Sequence, residues 1–276
     1  MVLVRVFGRS VVIVLLSSCC CTAQDGFLQR WFSRSDQAKA SEPHWMTPLV
    51  TVTPRLEQEF RTDFLVQRTP GGAALVNLGN AKGLEIIPNE RLQLTIGVPP
   101  YLQHNQPNVH DGFGDVSFLA KCRLAARNES SGNYAVTAFL GASVPTGSYA
   151  NGARSAVITP TIAAGKGWGR FDIQSTLSAG LPTAKTDVTG HAVALNTAFQ
   201  YRVAAKIWPE FEVNSVFWKG GTQDGKKQTV LTAGLILGRF KLHRRLLLSI
   251  GAGFQIAASH YHAYNRAAVM SVRFPF

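Results

Sequence analysis

The sequence of 276 residues has no apolar run that approaches the roughly 18 residues needed for a membrane-spanning helix. This absence excludes a helical membrane protein, although 46% of the residues are apolar and only 16% are charged. The one continuous apolar run, Val11 to Leu16, follows Arg5 and Arg9 and precedes small residues. This layout is typical of a secretory signal peptide, which we predict over residues 1–23.

Two processing routes are open for this signal. Cys21-Thr22-Ala23 offers small residues for cleavage before Gln24. Leu16-Ser17-Ser18-Cys19 resembles the box of bacterial lipoproteins, with lipid attached at Cys19. We favour cleavage near Ala23, because a lipid anchor adds little to a protein that spans the membrane with its own strands.

Cysteine is scarce, and three of the four cysteines, Cys19, Cys20 and Cys21, lie in or beside the signal. Only Cys122 remains in the body of the chain, which excludes an intrachain disulfide framework there. Cys122 shares strand parity with Phe118. We therefore interpret it as a small apolar residue that faces lipid, and not as a catalytic thiol.

Acidic residues are also few, since 16 Asp and Glu stand against 28 Lys and Arg and give a net charge of +12. Nucleic-acid-binding proteins cluster their basic residues with aromatic ones, whereas here the basic residues are scattered along the chain. We therefore expect outer-membrane lipids with anionic headgroups as partners of this basic chain. We expect no nucleic acid as a partner.

Short stretches of alternating apolar and polar residues fill the chain from residue 55 onward. In the clearest one, Ile173 and Leu177 fall on one face while Asp172 and Gln174 fall on the other, which is the period of two of a strand. A dozen such stretches predict an all-β fold, a transmembrane antiparallel up-and-down β-barrel of outer-membrane type over residues 49–276. We place the twelve strands at approximately Arg55–Gln67, Ala73–Ile87, Glu90–Gln103, Gly114–Arg127, Tyr134–Val144, Ala156–Gly165, Arg170–Leu181, Ala192–Ala204, Lys206–Trp218, Thr229–Phe240, Arg244–Ala257 and Arg266–Phe276.

The connections alternate between short and long after the first hairpin. Pro88-Asn89 is a tight turn, for example, whereas His104 to Phe113 is a long loop rich in Asn and Gly. This alternation predicts short turns on the periplasmic side and long loops outside. Residues 24–48 show neither period, and we predict a disordered periplasmic leader there. A short plug or an interfacial anchor is the alternative.

Two segments resemble a known family. Asp111-Gly112-Phe113-Gly114-Asp115, with the strand that follows it, and Thr53-Pro54-Arg55-Leu56-Glu57, at the entry to the first strand, are similar to motifs of bacterial outer-membrane proteins of the phenol-degradation meta-pathway family. The resemblance spans roughly Thr51 to Phe276. It implies a transporter-like twelve-stranded barrel that moves hydrophobic or aromatic compounds, and it supplies no catalytic or substrate-contacting residue.

Strand parity places thirteen charged residues on the inward face, six basic and seven acidic. An isolated charge in a partly dry interior is costly, so these residues should pair across the lumen. Two interpretations stay open: a packed polar interior with little flow, or a narrow wet path bordered by both charges. The candidate lumen-lining residues are Glu57, Glu59, Arg61, Asp63, Lys121, Arg123, Asp172, Arg202, Glu210 and Glu212, together with Glu85, Arg91 and Arg273.

Two smaller groups of residues have separate interpretations. Asp115 offers a side-chain acceptor to turn amides. The alternative is that Asp111 and Asp115 line the outer mouth of the barrel and bind a solute or cation. The aromatic end of the chain, Phe274 and Phe276, resembles the signal that bacterial barrel-assembly machinery recognises. That machinery is therefore an expected partner.

These patterns favour a channel or facilitator in the bacterial outer membrane for a small-molecule solute that is hydrophobic or aromatic. The alternatives are a structural or adhesion barrel without transport, and a membrane enzyme built near His260 and His262. No nucleophile is tied to these histidines and no third metal ligand accompanies them, so we expect no enzymatic activity, no cofactor and no metal.

Overall fold

The computed structural model describes residues 24–276. The predicted signal peptide and the lipidation candidate Cys19 lie outside the described residues. The described part begins with a helix, α1 (Gln24–Ala40), and later contains a one-turn helix, α2 (Thr186–Thr189), and a short 3-10 helix (Gly221–Gln223). No helix within residues 24–276 is long and apolar enough to cross a membrane.

In the described part of the chain, fifteen strand segments form a single antiparallel sheet. The last segment pairs with the first along their whole length, from Glu59 opposite Pro275 to Arg68 opposite Arg266, so the sheet closes into a barrel. The segments are β1 (Glu59–Arg68), β2 (Ala74–Gly79), β3 (Gly83–Asn89), β4 (Leu92–Gly97), β5 (Tyr101–His104), β6 (Gly112–Phe113), β7 (Val116–Arg127), β8 (Tyr134–Val144), β9 (Val157–Trp168), β10 (Phe171–Pro182), β11 (His191–Tyr201), β12 (Ile207–Lys219), β13 (Lys227–His243), β14 (Leu246–Ala257) and β15 (Arg266–Pro275).

These fifteen segments make twelve traverses of the barrel, because three traverses are interrupted: β2 with β3, β4 with β5, and β6 with β7. Pro99 and Pro100 separate β4 from β5, and proline has no N–H to donate to a ladder. Between β2 and β3, Asn80 and Ala81 have φ of 45° and 53°, which takes the chain out of the extended conformation. The predicted closed barrel of twelve antiparallel strands is confirmed.

The two faces of the wall are polar inside and apolar outside. In β10, Asp172 is 1% exposed and Gln174 is fully buried, whereas Leu177 is 49% exposed. A water-soluble barrel would bury the leucine instead, so the outer surface suits hydrocarbon. Cys122 is also exposed, on the outer face of β7.

Residues 41–58 enter the barrel between α1 and β1, and we call them the luminal segment. Trp45 and Met46 are each 3% exposed and Leu49 is 1% exposed. Met46 and Leu49 pack with Trp208 of β12 and Ile236 of β13 in one apolar cluster. The structure therefore differs from the disordered leader predicted over residues 24–48. The twelve-strand lumen, lined by long side chains, is narrow enough for one folded segment to fill.

The orientation of the wall can be tested at Leu195, which lies near the middle of β11 and is 46% exposed. Replacing Leu195 by Arg should lower the free energy of unfolding in lipid vesicles by about 2–4 kcal/mol, because a charge then faces hydrocarbon. Urea titration in vesicles measures this change. The Leu195→Met variant, which stays apolar, should fold like the wild type. Equal stability of all three proteins would show that this face does not lie in lipid.

Candidate functional site

Wall carboxylates accept hydrogen bonds from the backbone of the luminal segment at its innermost turn. Glu210 Oε1 accepts from the Leu49 N–H at 3.0 Å. Glu212 accepts from Val50 at 2.8 Å and from Thr51 at 2.6 Å, one amide to each carboxylate oxygen. Both glutamates lie on the inward face of β12 and are buried. Three consecutive amides are therefore held by two charges on one strand.

Guanidinium groups on β1 and β15 bind the carbonyls of the same turn. Arg61 of β1 donates to the Leu49 carbonyl at 2.6 Å. Arg273 of β15 donates to the Pro48 carbonyl at 2.8 Å and also to the Thr47 carbonyl. A buried backbone group without a partner is costly, so these contacts replace the water that the segment loses inside the barrel.

Strands β7 and β10 bind both halves of the segment. Gln174 of β10 donates to the Met46 carbonyl at 3.0 Å and accepts from the Thr53 hydroxyl at 2.7 Å. Lys121 of β7 donates to the carbonyls of Thr53 and Arg55, both at 3.3 Å. Contacts from both sides of the barrel thus fix the segment as a plug.

Glycines in the wall make room for two apolar side chains of the plug, Leu49 and Trp45. A Cβ at Gly234 would lie 2.5 Å from the Leu49 side chain, and one at Gly165 would lie 2.5 Å from the Trp45 ring. The Trp45 indole also donates to Asn133 Oδ1 at 2.9 Å. The wall and the plug are therefore complementary in shape as well as in polarity.

A cluster of buried charges lies where the plug joins α1. Arg123 Nη1 is 3.3 Å from Glu42 Oε2, which also accepts from the Leu56 N–H at 3.0 Å. Arg55 Nη1 is 3.2 Å from Glu57 Oε1. Burial raises the pKa of Glu42 to about 7, against the opposing effect of Arg55.

Helix α1 covers the end of the barrel that carries the short turns. The Trp31 indole donates to the Ile87 carbonyl at 2.8 Å, and Lys39 Nζ donates to the Phe276 carbonyl at 2.9 Å. Arg245 binds both carboxylate oxygens of Asp36, which holds the pKa of Asp36 below its ordinary value. The helix is thus tied to three separate parts of the wall.

A cavity of about 240 Å³ remains in the lumen between the plug and part of the wall. Val52 and Thr53 of the plug line one side, and residues of β3, β4, β7, β8 and β9 line the other. The lining residues of β8, Gly141 to Ser143, lie at the end of that strand that leads to a long loop. The cavity therefore lies in the half of the lumen nearer the long loops.

The structure places most of the predicted lumen residues inside the barrel. Arg202 differs, since β11 ends at Tyr201 and Arg202 lies in the following turn, 5.7 Å from the centre of the Trp208 ring. Arg91 is exposed in the turn between β3 and β4, and Glu85 is half-buried. Glu57 is buried but belongs to the plug. Those buried on the strands are Glu59, Arg61, Asp63, Lys121, Arg123, Asp172, Glu210, Glu212 and Arg273.

The two loop aspartates bind backbone amides. Asp115 accepts from Gly147 at 2.9 Å and from Ala153 at 2.7 Å, which fixes the loop between β8 and β9. Asp111 accepts from the His104 N–H at 2.7 Å. These contacts match the turn-stabilising interpretation of Asp115. Among residues 24–276, no three His, Cys, Asp or Glu side chains are grouped as metal ligands.

The remaining candidates lie near the barrel ends. His262 Nδ1 is 2.9 Å from the Ser259 carbonyl and Nε2 is 2.8 Å from Asn265 Oδ1, so both ring nitrogens have partners. Phe276 donates its N–H to the Gln58 carbonyl at 3.1 Å. Phe274 pairs with Phe60 across the barrel closure.

Sequence reasoning missed Glu42 and the turn from Thr47 to Thr53 as parts of the site. The sequence signal that could have indicated the plug is the set of glycines at inward strand positions, which leave space in the lumen for side chains of another segment. Gly165 and Gly167 both lie on β9 and leave space for Trp45.

The attachment of the plug can be tested at Glu212. In the Glu212→Ala variant the amides of Val50 and Thr51 lose their acceptor. Hydrogen exchange at these amides should accelerate about 10- to 100-fold, because a hydrogen bond to a charged group contributes about 1.5–3 kcal/mol. Mass spectrometry of peptides that cover the segment measures the rates. Glu90, an exposed acid in a turn, provides the matched control as Glu90→Ala. Unchanged exchange in the Glu212 variant would contradict the role of this carboxylate.

Solved structures of outer-membrane barrels are similar to this chain. An outer membrane channel from Pseudomonas putida F1 has 13% identity and a TM-score of 0.58, and the match covers 83% of this chain and 98% of that one. The NanC porin has 7% identity and a TM-score of 0.51, with 79% and 98% covered. At these identities the likeness concerns the fold alone.

No curated protein matches the sequence. A family model, described as "Putative MetA-pathway of phenol degradation", matches residues 52–271. This range includes the end of the plug and nearly all of the barrel wall. The chain therefore belongs to this family.

Proposed function

We propose that this protein is an outer-membrane channel or facilitator for small hydrophobic or aromatic solutes. Family membership and the likeness to channel barrels support a channel-type protein. The observation that carries the choice of solute is the luminal cavity, which has apolar walls at Val52 and Leu119. Its 240 Å³ is below the roughly 300–1,000 Å³ of sites for drug-sized ligands, which favours a single ring or a short chain.

We infer that the short turns face the periplasm, with α1 on that side. Basic residues of the short turns include Arg170, Arg202 and Lys206, and the exposed ring of Trp168 lies beside Arg170. Aromatic side chains are common at the membrane interface, and basic groups just beyond them suit anionic headgroups. Outer-membrane lipids are the expected partners of this rim.

The plug makes the path narrow. A wide aqueous pore is incompatible with a lumen in which Glu210 and Glu212 already bind the luminal segment. The contacts favour a packed interior in the half nearer the short turns, with open volume on the other side. Passage of a solute through the lumen then requires part of the plug to move.

A barrel without transport is the second candidate, and the plug itself favours it. A segment bound by Arg61, Arg273 and Lys121 could serve only to brace the wall. An enzyme near His260 and His262 has no comparable support, because the ring nitrogens of His262 are engaged by loop atoms.

Transport is tested with the Glu212→Ala variant in planar bilayers and in cells. The loosened plug should raise single-channel conductance above that of the wild type, whereas Glu90→Ala should leave it unchanged. Loss of the protein should reduce uptake of a neutral aromatic compound at limiting concentration. If neither form conducts and uptake is unaltered without the protein, the bracing role replaces the channel.

We also propose Phe276 as the residue that the barrel-assembly machinery recognises. Its backbone already bonds Gln58 and Lys39, so deletion alone would mix two effects. The Phe276→Ala variant keeps the backbone and should lower the yield of assembled barrel, while Phe276→Tyr should restore it. Heat-modifiable migration of outer-membrane fractions measures the yield. Full assembly of the alanine variant would assign Phe276 a backbone role only.

A further inference from the structure

The luminal cavity is bordered by four charged side chains, Arg61, Lys82, Glu85 and Lys121. Arg61 already has a partner, because its Nη2 lies 2.8 Å from an Asp63 carboxylate oxygen. Its second contact is the carbonyl of Leu49 in the plug. Arg61 and Asp63 together therefore add no net charge to the cavity.

Two of the other three charges also have partners. Lys121 Nζ donates to the carbonyls of Thr53 and Arg55 in the plug. Glu85 Oε2 accepts from the Gln93 side chain. These partners are neutral, so they satisfy the polar atoms without compensating the charges. The two ammonium groups of Lys82 and Lys121 and the one carboxylate of Glu85 therefore give the cavity a net charge of about +1.

Lys82 is the charge without a partner. Within residues 24–276 its side chain makes no ion pair and no hydrogen bond, although Asp63 and Glu85 are near enough to influence it. Its backbone is fixed, because its N–H donates to Gly79 at 2.9 Å and its carbonyl accepts from Val98 at 2.8 Å. The interruption between β2 and β3 thus holds a half-buried ammonium group at the cavity wall.

The rest of the lining suits an apolar body with a polar end. Val52 and Leu119 supply apolar surface, while Ser143 and Thr159 supply hydroxyls. Burial of a small ring against the apolar side chains is favourable. A carboxylate can accept hydrogen bonds from the hydroxyls and from the Lys82 ammonium group.

We propose that the cavity binds a small hydrophobic carboxylate, with Lys82 as the charge partner and the ring or chain against Val52 and Leu119. This inference rests on the proposed function and narrows its solute class from hydrophobic compounds to monoanionic hydrophobic acids. A neutral analogue leaves the ammonium unpaired, and a cationic analogue meets a net positive cavity.

Benzoate is the probe, titrated calorimetrically into the full protein in a non-ionic detergent, with the heat of detergent alone subtracted. Benzyl alcohol and benzylamine match it in size but not in charge. Benzoate should bind more tightly than the alcohol, and the amine should not bind. Equal binding of benzoate and benzyl alcohol would overturn the assignment of a carboxylate.

Two variants locate the site. Lys82→Gln should weaken benzoate binding about 10- to 100-fold, because a charge-assisted contact is lost. Lys219→Gln, which changes an exposed lysine outside the cavity, should bind benzoate like the wild type. Equal affinity of the Lys82 variant and the wild type would overturn the role of Lys82.

A third variant tests the cavity without changing a charge. A Cβ at Gly141 would meet Thr159 at 3.4 Å, an ordinary contact, so the Gly141→Leu variant can fold while its side chain fills the cavity. It should bind no benzoate and still show heat-modifiable migration. Retained binding in this variant would place the probe elsewhere and overturn the proposed site.

The outcomes also separate this inference from the proposed function. If neutral aromatics require the protein for uptake but benzoate does not bind, the carboxylate site is wrong and the channel stands. If benzoate binds through Lys82 and no solute crosses the membrane, the site stands and the channel fails.

Discussion

The structure depends on the match between the backbone of the plug and the charged side chains of the barrel wall. A closed barrel with an apolar outer face must turn its polar side chains inward, and in a narrow lumen these cannot all be solvated. The plug supplies both kinds of partner at one turn. Its amides donate hydrogen bonds to Glu210 and Glu212. Its carbonyls accept hydrogen bonds from Arg61 and Arg273.

This match explains why charges of both signs are needed on the wall. Of the two backbone groups, a carboxylate can accept only from the N–H and a guanidinium group can donate only to the carbonyl, so a plug that uses both groups needs acids on one side and bases on the other. Glu212 on β12 and Arg61 on β1 provide the two sides. The acids of β12 and the bases of β1 and β15 are therefore matched to the backbone of one turn of the plug.

The wall could be predicted from sequence because each strand carries its own signal. Alternation placed Asp172 and Gln174 inside and Cys122 outside, and each placement depends only on parity along one strand. The end of β11 at Tyr201 was less visible, since Arg202 continues the alternation although the chain already turns there. Local pattern thus fixes the face of a residue better than the end of a strand.

The plug could not be predicted in the same way, because its order comes from partners far along the chain. Leu49 and Glu210 are separated by 161 residues, and no period in residues 41–58 reports their contact. The inward glycines were the indirect sign, since Gly165 and Gly234 lie where a side chain of the wall would otherwise meet Trp45 or Leu49.

The same arrangement determines where a solute can bind. Leu49 packs closely on glycines of β13 and β14, whereas Val52 and Thr53 do not fill the space beside β7 and β8. The open volume therefore lies next to the interrupted traverses, where the chain between β2 and β3 carries Lys82. The interruption and the cavity are linked, because an uninterrupted strand would continue its wall contacts and could not fold a lysine-bearing turn into the lining.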